Sequence, residues 1–346
     1  MSSRRAALVV AASFLTVPAG AWAFPDALGP RVTAMGDAGR ADAQATDALR
    51  LNPAGMSLTP LYNLTADYQL ITKGGGGVLN VAVADSTSDS KIAGGLYYAH
   101  KGMSPAGLPA LAAHEAGLAL AYPFADHICL GATAKYFHVS NGIEPDGRGT
   151  HDGFTADVGL ALTAGGGVTI GVTGYNLRDL STVQAPVALG YGVAFAPGTN
   201  LAVVLDVLHD FTTSDHTRGI RTTVGGGAEL LLKDHVAFRA GGGRDGGTSA
   251  AFVSGGLAAV SEIGAIDASL RQDVTGNTKV TAVVVGLRLF IQAPQSSSGD
   301  GYGPSSGPSS GTWMRPGSSS SGSSSDSSSG SSSTSEPSAS TSPAIH

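Results

Sequence analysis

Short segments in which apolar residues alternate with small or polar residues follow one another from about residue 61 to residue 291. In residues 187–195, Leu189, Tyr191 and Val193 share one face, whereas Gly190 and Gly192 lie on the other. A period of two residues predicts β-strands with one apolar face and one small or polar face. About fourteen such segments can be counted, an even number that would bring both ends of a closed barrel to the same side.

The connections between these segments alternate in length as well. Tight turns follow even-numbered segments, as at residues 125–127 and 261–262, whereas longer pieces follow most odd-numbered segments, namely 100–111, 139–151, 177–184, 209–217 and 273–279. The first odd connection, 73–75, is a short exception. Short turns on one side and long loops on the other are typical of membrane-spanning barrels. A soluble β-sandwich with Greek-key crossovers would not sort its loops in this way. We therefore predict an all-β fold, a 14-stranded antiparallel transmembrane β-barrel.

Composition favours the same fold class. Charged residues make up only 13% of the 346 residues, against about 25% in an ordinary soluble domain. The 50 glycines suit a wall with lipid outside and small side chains inside. The net charge of -6 comes without a basic stripe, so nucleic acid is not an expected partner. The single cysteine, Cys129, cannot form an internal disulfide.

The chain divides into four parts. Residues 1–23 have the basic start, the short apolar run and the Ala-x-Ala end of a secretory signal peptide. Residues 24–59 form an N-terminal segment, and residues 60–292 form the barrel. No apolar run of about twenty residues follows the signal, so the exported chain would need a closed barrel to satisfy its backbone within a membrane. Residues 293–346 are rich in Ser and Gly and are predicted to be disordered, either as a passive spacer or as a tether to a periplasmic partner.

The segment 24–59 carries an ordered set of short motifs. Gly29, Arg31, Met35, Gly36 and Ala38 come first, then Asp47-Ala48, and finally the run Asn52, Pro53, Ala54, Gly55. This order resembles the N-terminal signature of FadL-like long-chain fatty-acid transporter barrels and their PorV-like relatives, and later pieces at 174–177, 185–186, 227–229 and 238–241 resemble them too. The resemblance implies a 14-stranded barrel whose N-terminal segment folds into the lumen as a plug, here called the hatch. Arg31, Asp47 and Asn52 to Gly55 would form and anchor it.

The residues of this segment agree with such a hatch. Residues 35–51 are mostly Ala with polar residues, which predicts one or two short helices. Asn52 and Pro53 together favour a fixed turn, because Pro53 lacks an N–H group and Asn52 can bond through its side chain.

Strand parity assigns a set of charged residues to the lumen: Lys135, Asp157, Asp206, Glu229, Arg239, Asp267, Arg271 and Arg288. Charges inside a barrel commonly pair with one another and with a plug, and contact with a substrate is the alternative. Gly192 also lies on this inner face, whereas Val193 faces lipid. We therefore expect the substitution Gly192→Ser to be tolerated better than Val193→Arg.

Catalysis and metal binding find little support in the sequence. His138 and Ser140 share one strand face, as in some outer-membrane barrels that hydrolyse lipids, but that face is assigned to lipid and no acidic partner can be placed beside them. The pairs at 151–152, 209–210 and 215–216 lack the ligand spacing of zinc or EF-hand sites. We expect no catalytic site, no enzyme, no metal and no cofactor.

We therefore expect passive uptake of a hydrophobic small molecule, such as a fatty acid or hydrocarbon, across the outer membrane of a Gram-negative bacterium. Outer-membrane lipid, lipopolysaccharide and the insertion machinery are the other expected partners, since strand 280–291 resembles a C-terminal insertion signal. An apolar access site is expected in an outer loop at Met103, Pro105, Leu108 and Leu111. The alternative is a PorV-like scaffold that docks secreted or surface proteins on a polar outer rim such as residues 139–151.

Overall fold

The alternating segments form fourteen β-strands in the computed structural model, which describes residues 28–72, 76–87, 91–104, 110–144, 147–182, 184–211, 220–276 and 279–291. The predicted signal peptide and tail lie outside these residues, as do Pro105 and Leu108. The strands are β1 Tyr62–Ile71, β2 Gly76–Asp85, β3 Ala93–Met103, β4 Leu111–Ala125, β5 Ile128–Glu144, β6 Gly147–Ala164, β7 Val168–Tyr175, β8 Ala188–Phe195, β9 Leu201–Asp210, β10 Arg221–Leu232, β11 Val236–Arg244, β12 Ala251–Ser261, β13 Gly264–Asp273 and β14 Thr281–Phe290.

Every strand pairs in antiparallel fashion with its neighbours in sequence, and the last strand returns to the first. In the closing pair, Asn63 of β1 lies opposite Phe290 of β14, and Ile71 lies opposite Ala282. Closure leaves no free edge among the strands. The predicted 14-stranded antiparallel barrel is confirmed.

The two faces of the wall carry opposite chemistry. Large apolar side chains point outward, for example Leu120 at 52% exposure, Leu205 at 58% and Val285 at 49%, whereas charged side chains such as Asp157 and Glu229 are buried inside. This arrangement reverses that of a soluble protein and is the one that lipid contact requires. In the part of the chain that is described, no helix is long and apolar enough to cross a membrane.

One connection that was predicted as a long loop is largely strand, and a second is shorter than predicted. Residues 139–151 belong mostly to β5 and β6, and β3 continues to Met103 while β4 begins at Leu111. Cross-strand hydrogen bonding does not require an apolar face, so these hairpins continue past the apolar band as polar strands. The prediction of an outer loop at 139–151 is therefore wrong. The pairing of β5 with β6 shifts register between Val139 and Gly142, which marks a β-bulge there.

The N-terminal segment lies inside the barrel as three short helical pieces: α1 Pro30–Ala34, α2 Ala45–Leu51 and a 3₁₀ helix Pro53–Ser57. All residues of α1 are buried, and so are most residues of the other two. The first helix begins earlier than the predicted 35–51 region because Pro30, at its first turn, has the backbone angle that a helix start requires.

Candidate functional site: the hatch and its lumen contacts

Glycines on the inner face of β10 and β11 bring the hatch backbone directly against the wall. Gly36 of the hatch has a φ of +77°, a conformation that suits glycine. A Cβ at Gly227 would lie 2.6 Å from Met35 Cα, and a Cβ at Gly241 would lie 2.4 Å from Gly36 N. Any side chain at these two wall positions would push the hatch away, so the glycine-rich strands form a footprint for it.

Arg31 holds the first helix of the hatch to the wall and to the rest of the hatch. Its guanidinium lies 3.0 Å from Glu229 Oε1 on β10 and 2.5 Å from Asp42 Oδ2 within the hatch. Burial lowers the pKa of Arg31, but the carboxylates of Glu229 and Asp42 raise it by more, so that the pKa lies well above its usual value. The guanidinium therefore stays charged and binds both carboxylates through its Nη2 atom.

The ion pair of Arg31 with Glu229 is the first in a series of ion pairs that crosses the wall and ends again at the hatch. Glu229 accepts a second hydrogen bond from Arg239, and Arg239 Nη1 lies 2.6 Å from Asp267 Oδ1. Asp267 Oδ2 lies 3.2 Å from Arg288 Nε, and Arg288 Nη1 lies 4.0 Å from Asp47 Oδ2 in α2. Alternating charges thus run from one hatch helix to the other through β10, β11, β13 and β14.

Asp206 of β9 receives the middle of the hatch. Its Oδ2 atom accepts hydrogen bonds from the backbone N–H groups of Gly39 at 2.7 Å and Arg40 at 2.9 Å, and from Arg40 Nη1 at 3.0 Å. Arg40 Nε also donates to the hydroxyl of Tyr175 on β7 at 2.9 Å. A single wall carboxylate therefore fixes both the backbone and the side chain of the hatch at this point.

Glu115 of β4 is a second wall carboxylate that reaches the hatch. It lies 3.0 Å from Arg50 of α2 and 3.3 Å from Lys101 of β3, and it accepts a hydrogen bond from the Tyr97 hydroxyl at 2.8 Å. All three charged partners are largely or wholly buried, with side-chain exposures of 12% or less.

Lys135 and Asp157 pair with each other on the inner face of the wall. Arg271, also on the inner face, binds the hatch. Lys135 Nζ lies 2.6 Å from Asp157 Oδ1. The same carboxylate oxygen accepts from the backbone N–H of Asn176, at the start of the connection between β7 and β8. Arg271 Nε lies 3.2 Å from Asp37 of the hatch. Together with the contacts above, all eight residues assigned to the lumen by strand parity face inward.

Asn52 fixes the turn between α2 and the 3₁₀ helix and is fully buried. Its side-chain oxygen accepts from Ala54 N at 3.2 Å. Its side-chain nitrogen donates to Arg40 O at 2.9 Å and to Leu160 O of β6 at 3.0 Å. Pro53 follows at the first position of the 3₁₀ helix, and a Cβ at Gly55 would lie 2.0 Å from Ala43 O. The Asn52 to Gly55 run therefore joins two parts of the hatch to each other and to the wall.

Two of the residues predicted for an apolar access site lie inside the barrel rather than in a loop. Met103, at the end of β3, and Leu111, at the start of β4, are buried and pack with Ala113 and Val139. These residues lie at the barrel end opposite the short turns 126–127 and 262–263. They form an apolar cluster on the lumen side of that end. Pro105 and Leu108, the other two predicted residues, lie outside the described residues.

Several contact residues were missed from the sequence. Arg40, Arg50 and Asp42 lie in the hatch, where no strand parity applies, and a sequence gives no register for a plug against a wall. Lys101 and Glu115 share the inward parity of Ala99 and Ala113. The correct end of β3 would have revealed Lys101, and parity along β4 would have revealed Glu115.

No model of a known protein family matches this sequence, and no curated protein matches it. Several solved structures, in contrast, are similar to this chain. The Ralstonia pickettii toluene transporter TbuX aligns with a TM-score of 0.59 at 14% identity, over 77% of this chain and 98% of that one. The monoaromatic hydrocarbon channel CymD aligns with a TM-score of 0.60 at 14% identity, over 76% and 97% of the two chains. A Pseudomonas aeruginosa FadL homologue gives 0.55 at 13% identity, over 77% and 98%.

The chain has the FadL-type fold. At these identities the likeness concerns the fold, and it covers the other chains almost end to end. The expectation that the resemblance of residues 24–59 raised, a 14-stranded FadL-like barrel with an N-terminal hatch, is therefore met by the architecture.

Proposed function

We propose that this chain is an outer-membrane channel for the passive uptake of hydrophobic small molecules, and that the hatch is its gate. The chain shares its fold with a toluene transporter, a monoaromatic hydrocarbon channel and a FadL homologue. Its outward face is apolar and its inward face is charged, as a barrel in the outer membrane of a Gram-negative bacterium requires. Passage through the lumen involves no covalent step and no cofactor.

The observation that carries the gate is the set of polar contacts between hatch and wall, which accompany the apolar packing of Leu49 and Met56 against β2, β3 and β4. Arg31, Arg40 and Arg50 of the hatch each bind a wall carboxylate, Glu229, Asp206 and Glu115 respectively. Ion pairs and hydrogen bonds can exchange partners with water or with one another when a segment shifts. A hatch held in this way can move as a unit while the hydrogen-bonded wall stays closed.

The apolar cluster of Met103, Leu111, Ala113 and Val139 is the proposed first contact for the ligand. Its apolar side chains face the lumen next to the connection 104–110. Ligand sites in proteins are concave and mostly apolar, with a few polar groups that fix orientation. Fatty acids and aromatic hydrocarbons both fit this chemistry, since each offers mainly apolar surface.

A binding measurement with the purified, folded barrel tests this proposal. We expect displacement of a fluorescent fatty-acid probe by long-chain fatty acids, alkanes or toluene. Met103→Asn and Leu111→Asn should weaken binding by about tenfold or more, since each removes roughly 1.5–3 kcal/mol of apolar contact. Leu231→Asn is the matched control, because Leu231 is also buried and inward-facing but belongs to a separate cluster with Ala202 and Ala237. Absence of binding by the folded wild type for all three ligand classes would contradict the proposal.

The scaffold alternative named a polar outer rim such as residues 139–151, and this segment forms parts of β5 and β6. No described contact favours a docked protein over a small ligand, so uptake remains the proposed function. The outer-membrane lipids, lipopolysaccharide and insertion machinery named above remain predicted partners.

A further inference from the structure

Three polar side chains are joined by hydrogen bonds on the outer wall, away from the lumen. His138 of β5 lies opposite Asp152 of β6 in the register of the two strands. His138 Nδ1 is 2.5 Å from Asp152 Oδ1, and His138 Nε2 is 3.2 Å from Ser140 Oγ. Asp152 also accepts a hydrogen bond from the Tyr136 hydroxyl at 3.0 Å. Uptake through the lumen does not use these side chains.

The order of these contacts is the one that activates a serine. A carboxylate on Nδ1 holds the imidazole in the tautomer whose Nε2 has a free lone pair, and this nitrogen can then take the proton of a serine hydroxyl. The His138 and Asp152 side chains are 37% and 55% exposed, so a substrate in the surrounding lipid can reach them. The sequence showed His138 and Ser140 on one face, and the structure adds the acidic partner that the sequence could not place.

The backbone beside Ser140 departs from a regular strand. The register of β5 against β6 shifts between Val139 and Gly142, and Asn141 has a φ of 55°. A bulge re-aims the side chains next to it, and the positive φ of Asn141, which asparagine adopts more readily than most residues, accompanies the bulge. Here the bulge falls at Ser140 itself, between two otherwise regular stretches of pairing.

A groove on the lipid-facing wall leads to these residues. It has a volume of about 600 Å³ and includes the small residues Ala116 and Ala134, together with Leu118, Tyr136 and Phe154. Its size falls within the roughly 300–1,000 Å³ of ordinary small-molecule sites. The groove is not lined by the Ser-His-Asp group itself, but Tyr136 of its lining donates a hydrogen bond to Asp152, so the groove adjoins the group. Its apolar lining suits an acyl chain.

The height of the group on the wall fits the ester level of a membrane. Along the outward face of β5, the apolar residues from Leu130 to Tyr136 give way to His138 and Ser140. Leu130 and His138 are separated by roughly 20 Å along the barrel axis, for a strand rise of about 3.3 Å per residue and a tilt of about 40°. An outward apolar band is about 25 Å tall in such barrels. The group therefore lies near the boundary between acyl chains and headgroups, on the side away from the short turns.

We propose that Ser140, His138 and Asp152 form a hydrolytic triad on the outer wall, which cleaves acyl esters of lipids in the outer leaflet. Ser140 Oγ bonds to the ester carbonyl carbon while its proton passes to His138 Nε2, and Asp152 stabilises the resulting imidazolium. The carbon–oxygen bond to the lipid alcohol then breaks, and His138 returns the proton to the departing oxygen. Water, deprotonated by His138, attacks the acyl-serine, releases a fatty acid and restores Ser140.

This proposal uses the membrane location given under Proposed function but does not depend on transport. Its product, a fatty acid, belongs to the class of molecule that the lumen is proposed to pass. Hydrolysis and uptake can fail separately, because Ser140→Ala alters the outer wall and leaves every hatch contact in place. Uptake by the Ser140→Ala barrel should therefore equal that of the wild type.

The competing explanation is that His138 has only a structural role, as one of the polar and aromatic side chains that form a belt at the membrane interface. The chain provides a matched control for this explanation. His209 is half-buried and is also bonded through both ring nitrogens, to Tyr191 at 3.1 Å and to Thr222 at 2.9 Å. It has no serine and no carboxylate in these contacts. His209→Ala thus removes an equivalent belt histidine without touching the proposed triad.

The test uses the full mature chain, folded in detergent and in vesicles, with two readouts. A fluorophosphonate reagent should label the wild type and the His209→Ala barrel but not Ser140→Ala. Hydrolysis of a medium-chain fluorogenic ester should fall by at least about 100-fold in Ser140→Ala, His138→Ala and Asp152→Asn, and by less than twofold in His209→Ala. Gel mobility before and after boiling confirms that each variant is folded.

Release of fatty acid from phospholipid vesicles or from lipopolysaccharide then identifies the source of the ester. Cleavage of either supports the proposal and names the substrate. A folded wild type that is not labelled, or that hydrolyses none of the three esters faster than Ser140→Ala, would overturn it and leave the group as part of the interfacial belt.

Discussion

At the scale of single residues, the position of the hatch is set by charged side chains that are buried away from water. Arg31, Glu229 and Asp267 are each less than 5% exposed, and each lies in a continuous run of opposite charges. A buried ion pair contributes little net stability compared with apolar residues, but removing one partner leaves a costly buried charge. Such contacts therefore specify where the hatch lies more than how tightly the whole chain folds.

Replacing Arg31 with Met should loosen the hatch while the barrel wall remains. We expect a loss of about 3–5 kcal/mol at the hatch, since Glu229 and Asp42 lose their shared partner. Ion conductance in planar bilayers should rise. Arg244→Met is the control, because Arg244 is exposed and a surface charge contributes only about 0–1 kcal/mol. Equal conductance in the two variants would argue against the ion pairs as the hatch anchor.

A second prediction concerns the glycine footprint. Gly241→Ala places a Cβ 2.4 Å from Gly36 N, whereas a Cβ at Gly198 meets nothing within 4 Å. We expect Gly241→Ala to displace the hatch, at a cost of about 1–3 kcal/mol for overpacking, and Gly198→Ala to be neutral. Limited proteolysis of residues 28–58 in the folded barrel measures the displacement. Equal cleavage rates in the two variants would contradict the claim that these glycines are needed for the hatch to lie against the wall.

Contacts made by single residues are also where the sequence was least informative. Strand parity identified Gly192 as an inward position where Ser should be milder than Arg at the lipid-facing Val193, yet a Cβ at Gly192 would lie 1.9 Å from Asp206 Oδ1. Asp206 in turn fixes Arg40 of the hatch. Parity reports the direction of a side chain and says nothing about what occupies the space in front of it. We therefore expect Gly192→Ser to disturb the hatch.

At the scale of elements, the sequence predicted the strands and their faces well, because a wall between lipid and lumen imposes a strict period of two. It predicted strand ends less well. Residues 139–151 read as a loop because they are polar, but β5 and β6 continue through most of them. The apolar pattern marks the part of a strand that faces lipid, and pairing alone can extend a strand beyond it. The same limit hid Lys101, which lies in the predicted connection 100–111.

Two leucines on the outward face of β9 provide a matched pair of positions for testing how deep each part of the strand lies in the membrane. Leu205 lies near the middle of β9 and Leu201 lies at its first position, and both are exposed, at 58% and 39%. We expect Leu205→Arg to cost about 2–4 kcal/mol and Leu201→Arg about 0–1 kcal/mol, because the penalty for a charge falls towards the interface. Urea unfolding in lipid vesicles measures both. A larger penalty at Leu201 would mean that the lipid-facing band is misplaced.

At the scale of the whole molecule, the barrel and the hatch were predictable for different reasons. The even number of alternating strands implied closure, and β1 does pair with β14. The hatch came from the resemblance of residues 24–59, supported by the small residues and the Asn52-Pro53 turn. Which wall residue meets which hatch residue was not predictable, because contacts such as Arg31 with Glu229 join positions 198 residues apart and follow from the folded barrel alone.

The central claim is that the hatch gates a path for hydrophobic molecules. Asn52 joins the hatch to itself and to β6, and Ala at positions 52 and 53 cannot reproduce that turn. Pro197 and Asn200, which lie exposed in a short turn between β8 and β9, provide the control double variant.

The most direct test is uptake of labelled long-chain fatty acid and toluene by cells that contain this chain as their only such channel. The wild type and the Pro197→Ala/Asn200→Ala barrel should take up at least one of these molecules faster than cells without the chain. The Asn52→Ala/Pro53→Ala barrel, present in the outer membrane in equal amount, should differ clearly from both. Uptake by wild-type cells at the rate of cells without the chain, or equal uptake by the two double variants, would contradict the gated channel.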